Sequence, residues 1–159
     1  MLRQLIFRAV DKVIRWHQGC RMEKLKKSLR SCGPRVWFGD EVTIWGTNDV
    51  VLEEDVSINS FTHIFGAGGV RIGARTLISA CCSITSVTHA EPVADRRRGI
   101  NLPVVIEEDC WLGTGAIVLP GVRIGRGSII GAGAVVTKDI PPLSVAIGIP
   151  ARVVRQVIS

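Results

Sequence analysis

From residue 38 to residue 136 the chain keeps a six-residue beat, and that beat rules out most folds. Ile106, Leu112, Val118, Ile124, Ile130 and Val136 are spaced by six. Two residues before each comes a smaller series: Val104, Cys110, Ala116, Val122, Ser128 and Ala134. A helix would repeat its apolar positions at three and four, and a long half-buried strand at two. A short fixed period carried over many turns marks a solenoid, where each repeat buries its apolar side on its neighbours. Six residues suffice for one short strand and one corner, so three steps close a three-sided coil with one inward aliphatic side chain per face. Gly often follows that residue, as in Leu112-Gly113, Ile124-Gly125 and Ile130-Gly131. Such small residues are expected to relieve corners that need unusual backbone dihedrals.

Upstream the beat lengthens at every third step. Phe38 and Ile44 are six apart, and Leu52 follows after eight; Ile58 and Ile64 are six apart, and Ile72 follows after eight. Ile78 and Ile84 are again six apart, but Ile106 follows only after 22. Three faces make a coil, so all three expansions belong to one edge of the prism. The segment 86–103, SVTHAEPVADRRRGINLP, is therefore expected to protrude from that edge while the stack continues beneath it. Ile140-Pro141-Pro142 is expected to end the ladder, since Pro donates no ladder hydrogen bond.

The N-terminal segment reads differently. Leu2, Leu5, Ile6, Ala9, Val10, Val13 and Ile14 follow helical spacing. A basic stretch from Met22 to Leu29 continues it, and Cys32-Gly33-Pro34 is expected to stop it. Residues 1–32 thus form a short basic amphipathic helical segment, and 33–155 the solenoid domain. Nine Lys and Arg in residues 1–30 face only Asp11 and Glu23, a balance of +7, while the rest of the chain carries −1. The basic character belongs to one segment, so no nucleic-acid partner is expected. Two occupants suit its apolar face: this protein or another subunit, or an anionic membrane surface met peripherally. The sequence lacks both the ~20-residue apolar run of a membrane span and the apolar stretch of a signal peptide. Its five Cys form no C-x-x-C. Free thiols and a cytoplasmic setting are the expectation.

The stretch from Val104 to Val154, VVIEEDCWLGTGAIVLPGVRIGRGSIIGAGAVVTKDIPPLSVAIGIPARVV, closely resembles the hexapeptide-repeat acyltransferases. Within them it is most similar to sugar O-acetyltransferases of the maltose and galactoside type. The resemblance covers about residues 38–155. It rests on Trp111-Leu112-Gly113, Gly131-Ala132-Gly133, the phrase from Val136 to Pro142, and Gly148-Ile149-Pro150-Ala151-Arg152. It implies an all-β fold, a left-handed parallel β-helix, although the usual crossover rule points to the right-handed form. It also implies a homotrimer with sites between neighbouring prisms, acetyl-CoA as donor and no metal.

The family's base is a His opening the protruding loop, a place held here by His89, and its Asn one coil earlier matches Asn59. The family's acceptor-binding acidic residue falls at Gly66-Ala67, which argues against a simple galactoside or maltose acceptor. Nearer in these respects are the acetyltransferases of exopolysaccharide, capsule or lipopolysaccharide sugars. For the CoA arm the resemblance points to Gly113, Thr114, Gly131 and Ala132, and for its nucleotide end to Thr137, Lys138, Arg152 and Arg155.

The chemistry is compatible with these residue types. Acetyl transfer from a thioester to a hydroxyl needs a base and donors for the oxyanion. Imidazole serves as base near neutral pH, and an amide such as that of Asn59 as donor. His63, Trp111, Asp95 and Arg96 are candidates to line the acceptor site, with Glu91 or Asp95 available to orient His89 and Trp111 expected beneath the loop. Arg96, Arg97 and Arg98 suit an anionic acceptor or a CoA phosphate. Cys81 and Cys82 are the rival nucleophiles for an acyl-enzyme route. Two other functions remain open. One is acyl transfer to an amino sugar or a serine-like acceptor. The other is a trimeric metal lyase of the carbonic anhydrase kind, which would need His17, His63 and His89 as ligands.

Overall fold

The six-residue ladder closes into a three-sided parallel β-helix preceded by one helix. The computed structural model describes residues 2–158, with the side chains of residues 2, 5 and 15 outside that description. Face one stacks Ser31–Cys32, Val50–Leu52, Val70–Ile72, Val104–Ile106 and Arg123–Ile124. Face two stacks Trp37–Phe38, Ser57–Ile58, Leu77–Ile78, Trp111–Leu112, Ile129–Ile130 and Ser144–Ile147. Face three stacks Thr43–Trp45, His63–Phe65, Ser83–Thr85, Ile117–Val118 and Val135–Val136.

The inward residues form three columns whose registers confirm the count by sixes. Leu52, Ile72, Ile106 and Ile124 are consecutive partners on face one. Phe38, Ile58, Ile78, Leu112 and Ile130 are partners on face two. Ile44, Ile64, Ile84, Val118 and Val136 are partners on face three. All are buried in one continuous core. Stacking like on like at about 4.8 Å lets each aliphatic side chain fill the gap left by the one above.

Two expectations about the corners change. In the upper coils of two edges positive φ falls on residues with side chains: Arg35, Asp55, Arg75 and Asp109 on the edge between faces one and two, and Glu41, Phe61 and Cys81 on the edge between two and three, at φ 54–60°, while Gly115, Gly121, Gly127 and Gly133 take it in the lower coils. The glycines after the aliphatic residues serve close packing of coil on coil instead. A Cβ on Gly113 would lie 2.6 Å from the Ala132 backbone nitrogen, and one on Gly125 2.4 Å from that of Pro142.

Both ends of the ladder also move. The helix runs Leu2–Ser28, and Ser31–Cys32 already pairs with Val51–Leu52, so the solenoid begins two residues ahead of the expected boundary at 33. The reason is local: Leu29 is buried and the Arg30 N–H donates to the Thr47 carbonyl at 3.0 Å. At the far end, Ile140 still bridges to Ile124. Ser144–Ile147 adds another parallel strand, and Arg152–Gln156 covers it in antiparallel fashion. The two prolines occupy a corner, where no ladder bond is needed, so the stack outlasts them.

The helix meets the stack through its last turns. Met22 and Leu25 pack on the core, and the Arg21 guanidinium donates to both Glu41 carboxylate oxygens at 3.0 and 3.1 Å. Among the described residues, no helix is long and apolar enough to cross a membrane.

Candidate active site

The long steps of the ladder all fall on the edge between face three and the next face one, and the third becomes a hairpin. Val87–His89 pairs antiparallel with Gly99–Asn101, with His89 opposite Gly99. The hairpin base is tied into the coils on both sides. Buried Ser86 donates its hydroxyl to the Phe65 carbonyl at 2.7 Å and accepts the Gly68 N–H at 2.9 Å. The Leu102 N–H donates to the Ser86 carbonyl at 2.9 Å, and the Gly121 N–H to the Leu102 carbonyl at 3.1 Å. Gly68 admits no side chain, because a Cβ there would sit 2.1 Å from the Ser86 carbonyl oxygen. The loop therefore leaves a rigid base.

His89 is exposed at the outer end of this base. Its cross-strand partner has no side chain, and a Cβ on Gly99 would meet only Val87 at 3.8 Å. The imidazole thus has open space across from it. Neither Glu91 nor Asp95 hydrogen-bonds to the ring among the described residues. Asp95 instead ends a short turn, Val93–Asp95, whose carbonyl accepts the Arg98 N–H at 2.7 Å. Arg96, Arg97 and Arg98 follow, all exposed.

Asn59 lies on a different edge, between faces two and three. Its side-chain amide donates to the Ile78 carbonyl at 3.0 Å, in parallel with its own backbone N–H at 2.9 Å. The second amide proton and the carbonyl oxygen are left for other partners. The residues stacked at this position in successive coils are Gly39, Asn59, Ser79, Gly113 and Gly131, since each follows a paired inward residue. The next positions run Ser60, Ala80, Thr114 and Ala132. The lower coils of this edge thus carry only Gly, Ala and Thr, and a Cβ on Gly133 would meet nothing within 4 Å. An extended, narrow ligand arm would fit along such a strip of exposed backbone. Ser79 was not singled out by the sequence; its hydroxyl accepts the Trp111 indole N–H at 3.1 Å. The signal was available, since counting back 34 residues from Gly113 gives Ser79.

Trp111 is therefore not under the loop. It points outward from face two, 49 % exposed, one edge away from His89. His63 points outward from face three, between Thr43 and Ser83 of the adjacent coils. Lys138 and Arg152 come together at the C-terminal end. With Asp139, Ile140, Ala151 and Val153 they line a groove of about 230 Å³. Thr137 precedes them on the same edge as the hairpin, and Arg155 lies on the covering strand opposite Val145.

The chain thus gathers its candidates into two sets flanking face three. His89, Asp95, Arg96, Thr137 and Lys138 lie along one edge. Asn59, Gly113, Thr114, Gly131 and Ala132 lie along the other, with Trp111 beside them. The five or so residues between the edges of one coil span roughly 16 Å, so one chain does not bring His89 and Asn59 together.

The thiols divide by burial. All five Cys are free. Cys82 is buried and its thiol approaches the Gly113 carbonyl at 3.3 Å; burial raises its pKa. Burial likewise pushes the Cys110 thiol up to about 11. A thiol held protonated in the core is no nucleophile. Cys81 is exposed at the edge near Asn59. His17, His63 and His89 occupy the helix, face three and the hairpin. Among the described residues no group of three or more His, Cys, Asp or Glu is placed to hold a metal ion.

A three-sided hexapeptide stack with a hairpin on one edge and a strip of small residues on another defines a class, and comparison with known proteins identifies it. Residues 103–138 match the family described as bacterial transferase hexapeptide (six repeats). The chain is 37 % identical over 147 residues to the galactoside O-acetyltransferase of Lactococcus lactis subsp. lactis (strain IL1403), covering 86 % of this chain and 68 % of that one. It belongs to the hexapeptide-repeat acyltransferases, and among them to the relatives of sugar O-acetyltransferases.

An Escherichia coli (strain K12) protein whose name reads lipopolysaccharide biosynthesis O-acetyl transferase is 30 % identical over 160 residues, covering 89 % of this chain and 81 % of that one. A Schizosaccharomyces pombe protein named as an acetyltransferase is 46 % identical over 90 residues, and the chain spans 44 % of its length. A solved galactoside acetyltransferase in complex with coenzyme A superposes with TM-score 0.78 at 29 % identity, covering 87 % of this chain and 70 % of that one.

Proposed function

We propose that this protein transfers an acetyl group from acetyl-CoA to a sugar hydroxyl, with His89 as general base and sites shared between copies of a homotrimer. The observation that carries the reading is His89 on the hairpin that protrudes from one edge of the stack, above a rigid base, in a chain belonging to this acyltransferase family. His89 takes the proton of the acceptor hydroxyl. The hydroxyl oxygen bonds to the thioester carbonyl carbon, the C–S bond breaks, and the proton on His89 passes to the departing thiolate. Asn59 of a neighbouring copy donates its free amide proton to the developing oxyanion or to the acceptor. No acyl-enzyme is needed, in keeping with the buried, protonated state of Cys82.

The strip Gly113, Thr114, Gly131 and Ala132 accepts the pantetheine arm. Its fit rests on the absence of side chains beyond a methyl or hydroxyl at those corners. Thr137, Lys138, Arg152 and Arg155 hold the nucleotide phosphates. His63, Trp111, Asp95 and Arg96 line the acceptor site. Gly66 supports the choice of acceptor: a Cβ there would lie 2.2 Å from Val50 Cγ2, so the corner holds no acidic side chain for a small galactoside. A sugar of an exopolysaccharide, capsule or lipopolysaccharide precursor suits the exposed Arg96–Arg98 run better, with synthesis in the cytoplasm, where five free thiols persist.

The test is thiol release from acetyl-CoA. Release that depends on a glycan acceptor and is lost in His89→Ala is expected; full activity in His89→Ala would refute the base assignment.

A further inference from the structure

The first half of the N-terminal helix bears an apolar stripe that its own solenoid does not use. At about 100° per residue, the side chains of Met22 and Leu25, which pack on the core, define one direction round the helix axis. Ile6, Phe7, Val10, Val13, Ile14 and Trp16 centre roughly 100° away from it. All six are 48–70 % exposed. Ile6 also lies ~24 Å along the axis from Met22, so the stripe projects beyond the contact with the first coil. Phe7 and Ile14 share the direction of Leu25, and Ile6, Val10, Val13 and Trp16 widen the apolar sector away from it, beyond what a helix that served only to cap the stack would need.

Charge identifies what covers the stripe. Arg3 is exposed within this sector and Arg8 and Lys12 are exposed on the opposite side of the helix, and residues 1–30 carry +7 while the remainder carries −1. A second copy would set nine Lys and Arg against nine, with only Asp11 and Glu23 in each segment to answer them. An anionic bilayer surface offers apolar depth and opposite charge together. Lys and Arg on the polar face of such a helix are drawn to anionic headgroups, and an indole such as Trp16, at the edge of the apolar sector, suits the boundary.

We propose that residues 3–16 dock the protein in the interfacial plane of an anionic membrane, apolar stripe inward, with the solenoid held in the water beside it. This goes beyond the transferase reading and does not depend on it. If both hold, acetyl transfer takes place on acceptors carried at the membrane.

Sedimentation of the full chain with vesicles tests it, using phosphatidylcholine alone and phosphatidylcholine with phosphatidylglycerol. Binding to the phosphatidylglycerol vesicles at low salt is expected, reduced when ionic strength approaches about 1 M and the Debye length falls to ~3 Å. Val10→Asp with Val13→Asp should weaken binding at least tenfold or so while leaving circular dichroism, solution mass and acceptor-dependent thiol release unchanged. Arg8→Glu with Lys12→Glu, which removes no apolar surface, should also weaken it. Absence of binding to phosphatidylglycerol vesicles at low salt would overturn the proposal, as would undiminished binding by both double variants. A wild type that ignores vesicles but loses its assembly in the Val10→Asp, Val13→Asp variant would show that the stripe joins copies of this chain instead.

Discussion

The edge between faces one and two and the edge between faces two and three share a backbone and differ in what they carry. Both place non-glycine residues at φ near 55–60° in their upper coils. On the first edge the sequence alternates sign down the stack. Arg35 holds Asp55 through paired bonds of 2.6 Å, and Arg75 holds Asp109 at 2.6 and 2.7 Å. Arg35, Asp55, Arg75 and Asp109 each have their partner in the adjacent coil. On the second edge Glu41, Phe61 and Cys81 give way to Gly115 and Gly133, flanked by Asn59 above and by Gly, Ala and Thr below. One edge completes its own interactions, and the other leaves donors, acceptors and space. Left-handed corners cost on the order of 1–2 kcal/mol each in L-residues. The first edge sets ion pairs against that cost in its upper coils and turns to glycine only at Gly127, while the second relaxes it with Gly115 and Gly133 in two successive coils, where a ligand would lie.

The sharpest way to break this contrast is to alter the proposed catalytic set and leave the paired edge alone. His89→Ala is expected to lower acceptor-dependent transfer by about 10²–10⁴ with little change in melting temperature, since its side chain is exposed. Asn59→Ala should lower kcat by on the order of 10² if the amide meets the oxyanion. It should cost only about 1 kcal/mol in stability, because the Ile78 carbonyl keeps its bond from the backbone N–H. A rise in KM with kcat unchanged would reassign Asn59 to binding. Ala132→Phe fills the strip at an exposed corner. It should raise KM for acetyl-CoA by roughly tenfold with kcat little changed, as expected for lost uniform binding. An unchanged KM would remove the arm from this edge.

The paired edge should respond to pH instead of to substrate. Hydrogen bonding to Arg35 and Arg75 holds Asp55 and Asp109 below the ordinary 3.8, and the bond from the Arg126 N–H does the same for Glu107 below 4.5. Carboxylates depressed in the folded state contribute stability above their unfolded pKa and lose it as pH falls through the folded value. Between about pH 5 and pH 3 the wild type should therefore lose more melting temperature than Asp55→Asn, Asp109→Asn, with transfer activity near neutrality equal in both. Equal acid sensitivity would show that the ladder contributes nothing. The smallest effect is expected from Cys81→Ala with Cys82→Ala, which should retain activity; its loss would revive an acyl-enzyme.

Much of this contrast was legible before any coordinates. The three long steps after Ile44, Ile64 and Ile84 located the hairpin's edge, because a six-residue period admits only three faces. The Arg–Asp ladder was hidden because its members are 20 and then 34 residues apart, a spacing that means nothing until the coil length is known. Positive φ at Arg35 or Phe61 was equally hidden, since side-chain identity there reflects neighbours one coil away. Trp111 was misplaced under the loop because proximity along the chain to residue 103 suggested proximity in space. The fold sends residues 104–106 along face one before Trp111 emerges on face two. The helix was legible as amphipathic, but which part of its apolar sector is covered depends on where the first coil sits.

The central claim is that two edges from two copies make one site, and subunit mixing tests it most directly. His89→Ala and Asn59→Ala chains are each expected to be nearly inactive alone. Co-expressed in equal amounts, they should recover about a quarter of wild-type activity, the fraction of head-to-tail interfaces in a closed ring that pair an intact His89 with an intact Asn59. A chain carrying both substitutions, mixed with neither, should recover none. If the mixed assemblies stay as inactive as the single variants, the two residues do not meet across an interface, and the shared site is wrong.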